Sequence, residues 1–228
     1  RYQNGPDGDN DPLPLVQAIS PVASDVEEVG GLGPDVMRAV VRVRGCSGNS
    51  CEAGGTGSGV IIDPRGLILT ANHVTLVDPM DSNGPRMSDF VIEMTQSERD
   101  APQAVYRARI VASDAELDLA LLAIDRDESG GTRIAPADLN LPSLPLAYGQ
   151  DITYGATLHL FGYPKGGGSK ISYQQVPFNG YDDDPTLLKA PPNIGQGQSG
   201  GPALLEDENG IGVVGIVLRQ RILSRQAF

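Results

Sequence analysis

Residues 195–202 read Gly195-Gln196-Gly197-Gln198-Ser199-Gly200-Gly201-Pro202, and this stretch carries the most specific chemical signal in the chain. A serine hydroxyl becomes a good nucleophile only when a base removes its proton and nearby donors stabilise the oxyanion that forms. Glycines on both sides of the serine let the backbone turn tightly, so that consecutive N–H groups face one point. The motif therefore predicts a nucleophile at Ser199 and an oxyanion hole formed by the N–H groups of Gly197 and Ser199.

A serine nucleophile needs a histidine, and the chain has two. His73 follows the apolar run 67–71, at the end of a predicted strand from which its ring can enter a cleft. His159 lies inside the apolar run 157–161, where a histidine of the core or the surface is expected. The histidine also needs a carboxylate to orient it. Asp118 stands alone at the head of an apolar strand, where a carboxylate is costly to bury unless it is hydrogen-bonded. Its rival, Asp114, lies in the preceding turn.

Short β-branched runs separated by turn residues fill the chain from residue 36 onward, without a helical period. Such a pattern is typical of an all-β sandwich or of paired barrels. The Gly- and Pro-rich segment 125–148 is expected to connect two sets of strands, and residues 219–225 are predicted to form a loop. The predicted strands are 36–44, 59–63, 67–70, 90–95, 106–112, 119–124, 157–162, 170–177, 186–190, 203–206 and 212–218.

Composition and charge restrict the function classes. The 228 residues carry a net charge of −12, which repels phosphate backbones, so nucleic acid is not an expected partner. No apolar stretch reaches the roughly 18 residues that a membrane-spanning helix needs. A hydrophobic content of 39% with 29 glycines is sufficient for a sizeable core.

The first 34 residues differ in composition from the rest. They hold five prolines, five glycines and six acidic residues against one basic residue. We interpret residues 1–34 as an acidic leader or linker, in which residues 18–29 are predicted to form a short helix. The remaining segment, 35–228, is then a single domain.

Four segments, taken together, resemble the protease domain of the HtrA/DegP-type trypsin-like serine endopeptidases. They are 55–63 (Gly-Thr-Gly-Ser-Gly-Val-Ile-Ile-Asp), 69–74 (Leu-Thr-Ala-Asn-His-Val), 118–124 and 197–202. The segments 158–164 and 212–217 resemble further parts of that domain. The candidate residues follow the chymotrypsin-like order of histidine, aspartate and serine.

The resemblance implies a chymotrypsin-type fold of two six-stranded antiparallel β-barrels, with the active site in the cleft between them. It implies that Ser199 attacks a peptide bond, that His73 is the general base and then the acid, and that Asp118 orients His73. Neither a cofactor nor a metal is expected. The substrates would be unfolded or partly folded proteins or peptides. A catalytically silent or latent peptide-binding module on the same fold, and a generic esterase, are the alternatives.

The sequence departs from the family pattern in three places. Gln198 stands where trypsinogen-like zymogens have the Asp that pairs with a new N-terminus, so activation by N-terminal cleavage is not expected. The last strand and the C-terminal helix of the domain are expected to be cut short at residue 228. The predicted specificity pocket lacks an acid to attract Arg or Lys, which favours small or medium aliphatic side chains before the cut. Its predicted residues are Asn193, Ile194, Ile216 and Val217.

The two cysteines, Cys46 and Cys51, are separated by four small or polar residues. A disulfide between them would indicate an oxidising compartment, and two reduced thiols are the alternative. With the missing initiator Met, this favours an extracytoplasmic protein, periplasmic, at the cell surface or secreted. A homotrimer, a PDZ or other domain after residue 228 and an upstream membrane anchor are left open by the resemblance.

Overall fold

The computed structural model describes residues 32–46, 51, 55–97, 99–147, 151–164, 170–184, 186–189, 198–208, 210–218 and 221–224. The elements are one α-helix, α1 (Pro34–Ala39), two 3₁₀ helices (Asn72–Thr75 and Pro136–Asp138) and twelve strands within these residues. The strands are β1 (Val40–Cys46), β2 (Thr56–Asp63), β3 (Leu67–Ala71), β4 (Asp89–Met94), β5 (Gln103–Asp114), β6 (Leu119–Asp127), β7 (Thr157–Gly162), β8 (Ser172–Pro177), β9 (Leu187–Leu188), β10 (Pro202–Asp207), β11 (Gly210–Leu218) and β12 (Arg221–Ser224).

The strands form two six-stranded antiparallel units, which confirms the predicted fold class. The first unit is a closed barrel with the order β1-β2-β3-β6-β5-β4. The second unit is a sheet with the order β8-β7-β10-β11-β12-β9. Closure of the first unit pairs β3 with β6, and Ala71 lies opposite Leu119 in that pair. The end of β3 and the start of β6 are therefore neighbours at one rim of the barrel.

Two clusters of apolar side chains form the core. The larger one fills the first barrel and continues into the second unit through residues such as Phe161, Tyr163 and Leu204. The smaller one lies within the second unit. Ile216 and Val217 are consecutive on β11 and pack into different clusters, because successive side chains of a strand point to opposite faces. The larger cluster thus joins the two units through apolar contact.

Residues 125–127 of the predicted connection belong to β6, and residues 128–147 run along the first barrel before they reach the second unit. The N–H groups of Leu141 and Leu144 donate to the carbonyls of Pro64 and Ile61 on the first barrel. Farther on, the N–H of Ala147 donates to the carbonyl of Val213 on β11. These bonds tie the connection to both units.

The start of the domain differs from the sequence-based prediction. Residues 36–44 were expected to be one strand, but residues 34–39 form α1 and the strand begins only at Val40. Pro34 stands in the first turn, where the backbone N–H that it lacks would have no partner within the helix. The acidic Asp35 in the first turn and the basic Arg38 in the last turn interact favourably with the helix dipole. The predicted leader helix 18–29 lies outside the described residues, and the division at residue 34 stays a prediction.

The end of the domain also differs. Residues 219–225 were predicted to be a loop, yet Arg221–Ser224 forms β12 between β11 and β9. Ile222 and Leu223 are buried there, and Ile222 pairs with both Val217 and Leu188. The sequence pattern did not predict this strand because polar residues flank its short apolar pair. The strand is stabilised by pairing with β11 on one side and β9 on the other.

Cys46 and Cys51 are joined by a disulfide at the end of β1. Arg107 on β5 places its Nη1 atom 3.6 Å from each of the two sulfur atoms. The same nitrogen donates to Asp89 Oδ2 at 2.6 Å, which links β5 to β4 beside the disulfide. This end of the first barrel is therefore held by a covalent bond and by an ion pair.

His159 lies on β7, in the second unit, and is buried as expected for a structural histidine. Its Nδ1 atom is 2.7 Å from the hydroxyl oxygen of Tyr173, and the two rings stack with centroids 5.9 Å apart. Burial lowers the pKa of His159, and the charge of Glu206 opposes this effect only in part. The folded protein therefore favours the neutral ring.

Because the pKa of His159 is lower in the folded chain than in the unfolded chain, its contribution to stability is complete above about pH 6.5 and is lost as the pH falls further. We expect the melting temperature of the wild type to fall more steeply between pH 7.5 and pH 5.0 than that of His159→Gln. Thermal unfolding followed by circular dichroism checks this. Equal slopes for the two proteins would contradict it.

Candidate active site

The two rim positions created by the β3–β6 pair carry His73 and Asp118. His73 lies in the 3₁₀ helix Asn72–Thr75 that follows β3, and Asp118 immediately precedes β6. The Nδ1 atom of His73 is 2.7 Å from Asp118 Oδ2. The main-chain N–H of His73 donates to the other carboxylate oxygen, Oδ1, at 2.8 Å. One carboxylate thus fixes both the backbone and the ring of His73.

Asp118 also holds this region through its own backbone. Its carbonyl accepts the N–H of Asn72 at 2.9 Å. Among the described residues it is the one non-glycine residue with a positive φ, at 55°. Aspartate tolerates this left-handed conformation better than most residues, and such strain is typical of functional positions. With this conformation, the carbonyl of Asp118 binds Asn72 and its carboxylate binds the next residue, His73.

Ser199 lies in a tight turn just before β10, in the second unit. The N–H of Gly201 donates to the carbonyl of Gln198 at 2.8 Å, which closes the turn. Gly200 has a φ of 86°, and a Cβ there would lie 2.1 Å from the carbonyl oxygen of Ser58. Only glycine fits both requirements, so the predicted role of the glycines after Ser199 has a direct physical basis.

The turn that carries Ser199 lies against the rim that carries His73. The carbonyl of Ser199 accepts the N–H of Ser58, on β2, at 2.8 Å. A Cβ at Gly57 would lie 2.5 Å from a methyl group of Val74 and 3.0 Å from the carbonyl oxygen of Ser199. Gly57 therefore lies between the Ser199 turn and Val74, the residue after His73, where there is no space for a side chain. The fold brings the segments that hold Ser199, His73 and Asp118 together between the two units.

Gln198 is buried beside the predicted nucleophile, with 3% of its surface exposed. Its Nε2 atom donates to Ser172 Oγ on β8 at 3.1 Å. The side chain is thereby held toward the second unit. Gln198 thus forms a neutral link to β8.

The other predicted site residues are not tested by this geometry. Gly197, Asn193 and Ile194 lie outside the described residues. Ile216 and Val217 are fully buried in the two apolar clusters. The oxyanion hole and the specificity pocket therefore stay predictions.

The structure shows two contacts between the units, at Ser58 and Tyr163, that the sequence analysis did not predict. Ser58 is completely buried on β2, and its Oγ accepts the main-chain N–H of Tyr163 at 2.8 Å. Tyr163 is 2% exposed and donates its hydroxyl to the carbonyl of Val40 at 3.3 Å. Burial raises the pKa of Tyr163 to about 12, so the phenol stays protonated and can donate. A serine between two glycines, just before the apolar run 60–62, was the available signal.

The described residues contain no group of three or more His, Cys, Asp or Glu side chains placed to hold a metal ion. Within the same part of the chain, none of the helices has the length and apolar character needed to cross a membrane.

Comparison with known proteins agrees with the fold described above. The profile of the trypsin-like peptidase domain family matches residues 57–216, well over half of the chain. A curated protein named "Probable periplasmic serine endoprotease DegP-like", from Rickettsia prowazekii (strain Madrid E), is 28% identical over 165 residues. The match covers 69% of this chain and 27% of that protein, so the chain spans about a quarter of the length of this relative.

Solved structures show the same fold. The serine endoprotease from Yersinia pestis superposes with a TM-score of 0.61 at 22% identity, over 85% of this chain and 61% of that one. Deg5 superposes with a TM-score of 0.60 at 20% identity, over 85% of this chain and 86% of that one. The chain therefore belongs to the trypsin-like peptidase domain family, which includes the HtrA/DegP-type serine endopeptidases that its sequence resembles.

Proposed function

We propose that the chain is the catalytic domain of a serine endopeptidase that cleaves peptide bonds through an acyl-enzyme. The observation that carries this proposal is the double hydrogen bond from His73 to the carboxylate of Asp118, next to the turn of Ser199. Ser199 Oγ attacks the scissile carbonyl, and His73 takes the proton and later gives it to the leaving amine. Asp118 keeps the proton on Nδ1 and stabilises the imidazolium that forms.

The geometry of Asp118 accounts for the tautomer that this chemistry needs. Its carboxylate binds only the Nδ1 side of the ring and also the N–H of the same residue. The ring cannot rotate without losing one of these bonds, so Nε2 keeps a fixed direction and is free to accept a proton. A preoriented base of this kind acts without reorganisation during the reaction.

The oxyanion hole is proposed to consist of the N–H groups of Gly197 and Ser199. This is supported by the closed turn after Ser199 and by the left-handed Gly200, which orient the backbone immediately downstream. Two N–H groups directed at the developing oxyanion stabilise the tetrahedral intermediate more than the substrate carbonyl.

The substrates are proposed to be unfolded or partly folded proteins, cleaved after small or medium aliphatic residues. The aliphatic preference is supported by the sequence of the predicted pocket, in which Asn193 stands near the base and no acid is present.

The class of substrate and an extracytoplasmic location follow from the resemblance, together with the periplasmic relative and the disulfide of Cys46 and Cys51. Homotrimer formation stays a proposal of the same origin. A catalytically silent or latent peptide-binding module on the same fold is the second candidate.

The proposed nucleophile predicts covalent labelling by a fluorophosphonate probe. We expect the wild type to be labelled at one residue and Ser199→Ala to lose the label completely, because the probe traps a serine activated by a base. In-gel fluorescence and mass spectrometry of the labelled peptide check this. The matched control, Ser113→Ala on an exposed part of β5, should be labelled like the wild type. Labelling of another residue would contradict the assignment, and a folded but unlabelled wild type would favour the latent domain.

The proposed role of Asp118 predicts a large loss of turnover without loss of fold. Asp118→Asn keeps an acceptor for the His73 N–H but presents its NH2 group to Nδ1. A donor at this position favours the tautomer with the proton on Nε2, which cannot act as the base. We expect the rate of casein hydrolysis to fall on the order of 10³- to 10⁴-fold, as in the well-studied serine proteases. Circular dichroism should show an unchanged spectrum. A loss below about tenfold would mean that this carboxylate does not orient the base.

The proposed pocket predicts that peptides with Val, Ala or Leu before the cut are cleaved faster than peptides with Arg or Lys. A difference of at least about tenfold is expected in kcat/KM, since an apolar pocket gains little from a long charged side chain. Cleavage of a peptide series, analysed by mass spectrometry, checks this, with Ser199→Ala as the control for contaminating proteases. Faster cleavage after Arg or Lys would overturn the pocket assignment.

A further inference from the structure

Ser58 is a fully buried strand residue whose three polar groups bind three different segments. Its main-chain N–H donates to the carbonyl of Ser199 at 2.8 Å. Its carbonyl accepts the hydroxyl of Thr70, on β3, at 2.6 Å. Its Oγ accepts the N–H of Tyr163, just after β7, at 2.8 Å. Ser58 thus connects the barrel that carries His73 with two segments of the second unit.

Close packing around Ser58 makes these bonds mutually dependent. A Cβ at Gly162 would lie 2.9 Å from Ser58 Oγ and equally close to the Cα atom of Gln198. A Cβ at Gly200 would lie 2.1 Å from the carbonyl oxygen of Ser58 and 2.3 Å from Thr70 Oγ1. Gly200 therefore packs directly against Ser58 and Thr70, and Gln198 packs against Gly162, next to Tyr163.

We propose that Ser58 is a positioning residue for Ser199, and that its hydroxyl sets where the nucleophile stands relative to His73. The inference rests on the proposed function of Ser199. The main-chain bond from Ser58 fixes the Ser199 carbonyl to the first barrel. The side-chain bond fixes Tyr163, and with it the end of β7, which flanks the turn of Ser199 on the other side.

Removal of the hydroxyl separates these two effects. In Ser58→Ala the main-chain bond to Ser199 can still form, but the buried N–H of Tyr163 loses its acceptor. A buried N–H without a partner is unfavourable, so the end of β7 must move or admit water. Either change displaces the Ser199 turn, and small displacements of a nucleophile reduce the rate strongly.

The test compares Ser58→Ala with the wild type in casein hydrolysis and in the rate of fluorophosphonate labelling. We expect kcat and the labelling rate to fall roughly ten- to a hundredfold, while KM changes less than about twofold. Thr70→Val, which removes the other side-chain bond to Ser58, should reduce the same two rates in the same direction. This second variant keeps the test valid if Ser58→Ala does not fold.

Tyr163→Phe is the matched control for a purely structural effect. It removes the other hydrogen bond that Tyr163 makes between the two units, from its hydroxyl to Val40, but keeps the main-chain N–H that Ser58 accepts. We expect its melting temperature to fall at least as much as that of Ser58→Ala, while its labelling rate stays within about threefold of the wild type. Equal rate losses in the two variants would overturn the proposal.

Amide hydrogen exchange tests the proposal independently of activity. In Ser58→Ala, peptides that cover residues 198–205 should exchange faster than in the wild type, while in Tyr163→Phe they should not. Unchanged exchange in this segment, or wild-type rates in Ser58→Ala, would show that Ser58 does not position Ser199. If the wild type is not labelled at all, the proposed function fails, and the exchange data still decide the role of Ser58.

Discussion

The pairing of β3 with β6 is the constraint on which the rest of the site depends. These strands pair directly within the closed first barrel, and the pairing puts the end of one beside the start of the other. Asp118 makes three hydrogen bonds at this point: its carbonyl binds Asn72, and its two carboxylate oxygens bind His73. A hydrogen-bonded carboxylate at a strand end stabilises the local backbone, and it is also the partner that an imidazole base needs. The fold and the proposed chemistry therefore depend on the same residue, Asp118.

The two units meet through a small polar junction set in an apolar interface. The larger apolar cluster runs from the first barrel into the second unit and is not directional. The hydrogen bonds of Ser58 are directional and join the first barrel to two segments of the second unit. Apolar burial thus holds the units together, and we propose that the bonds of Ser58 position the Ser199 turn. The proposed nucleophile lies on one side of this junction and the proposed base on the other.

Local patterns predicted much of this structure from the sequence. β7 was predicted with its observed bounds, and the lone acid before an apolar strand identified the residue that His73 contacts. Predictions were wrong where the decisive partner is distant in sequence. β12 depends on β11 and β9, and the helix at Pro34–Ala39 replaced part of a valine-rich strand pattern. Ser58 was not recognised because a buried serine shows its role only through what it contacts. The pocket residues 193 and 194 lie outside the described chain.

The distribution of the site over two units has a consequence for biosynthesis. His73 and Asp118 both belong to the first barrel, whereas Ser199 belongs to the second unit, more than one hundred residues after the barrel begins. Domains emerge from the ribosome with the N-terminal part first. A nascent chain that has completed only its first barrel holds the imidazole and the carboxylate but lacks Ser199. The proposed peptidase activity can therefore arise only after the second unit has folded against the barrel.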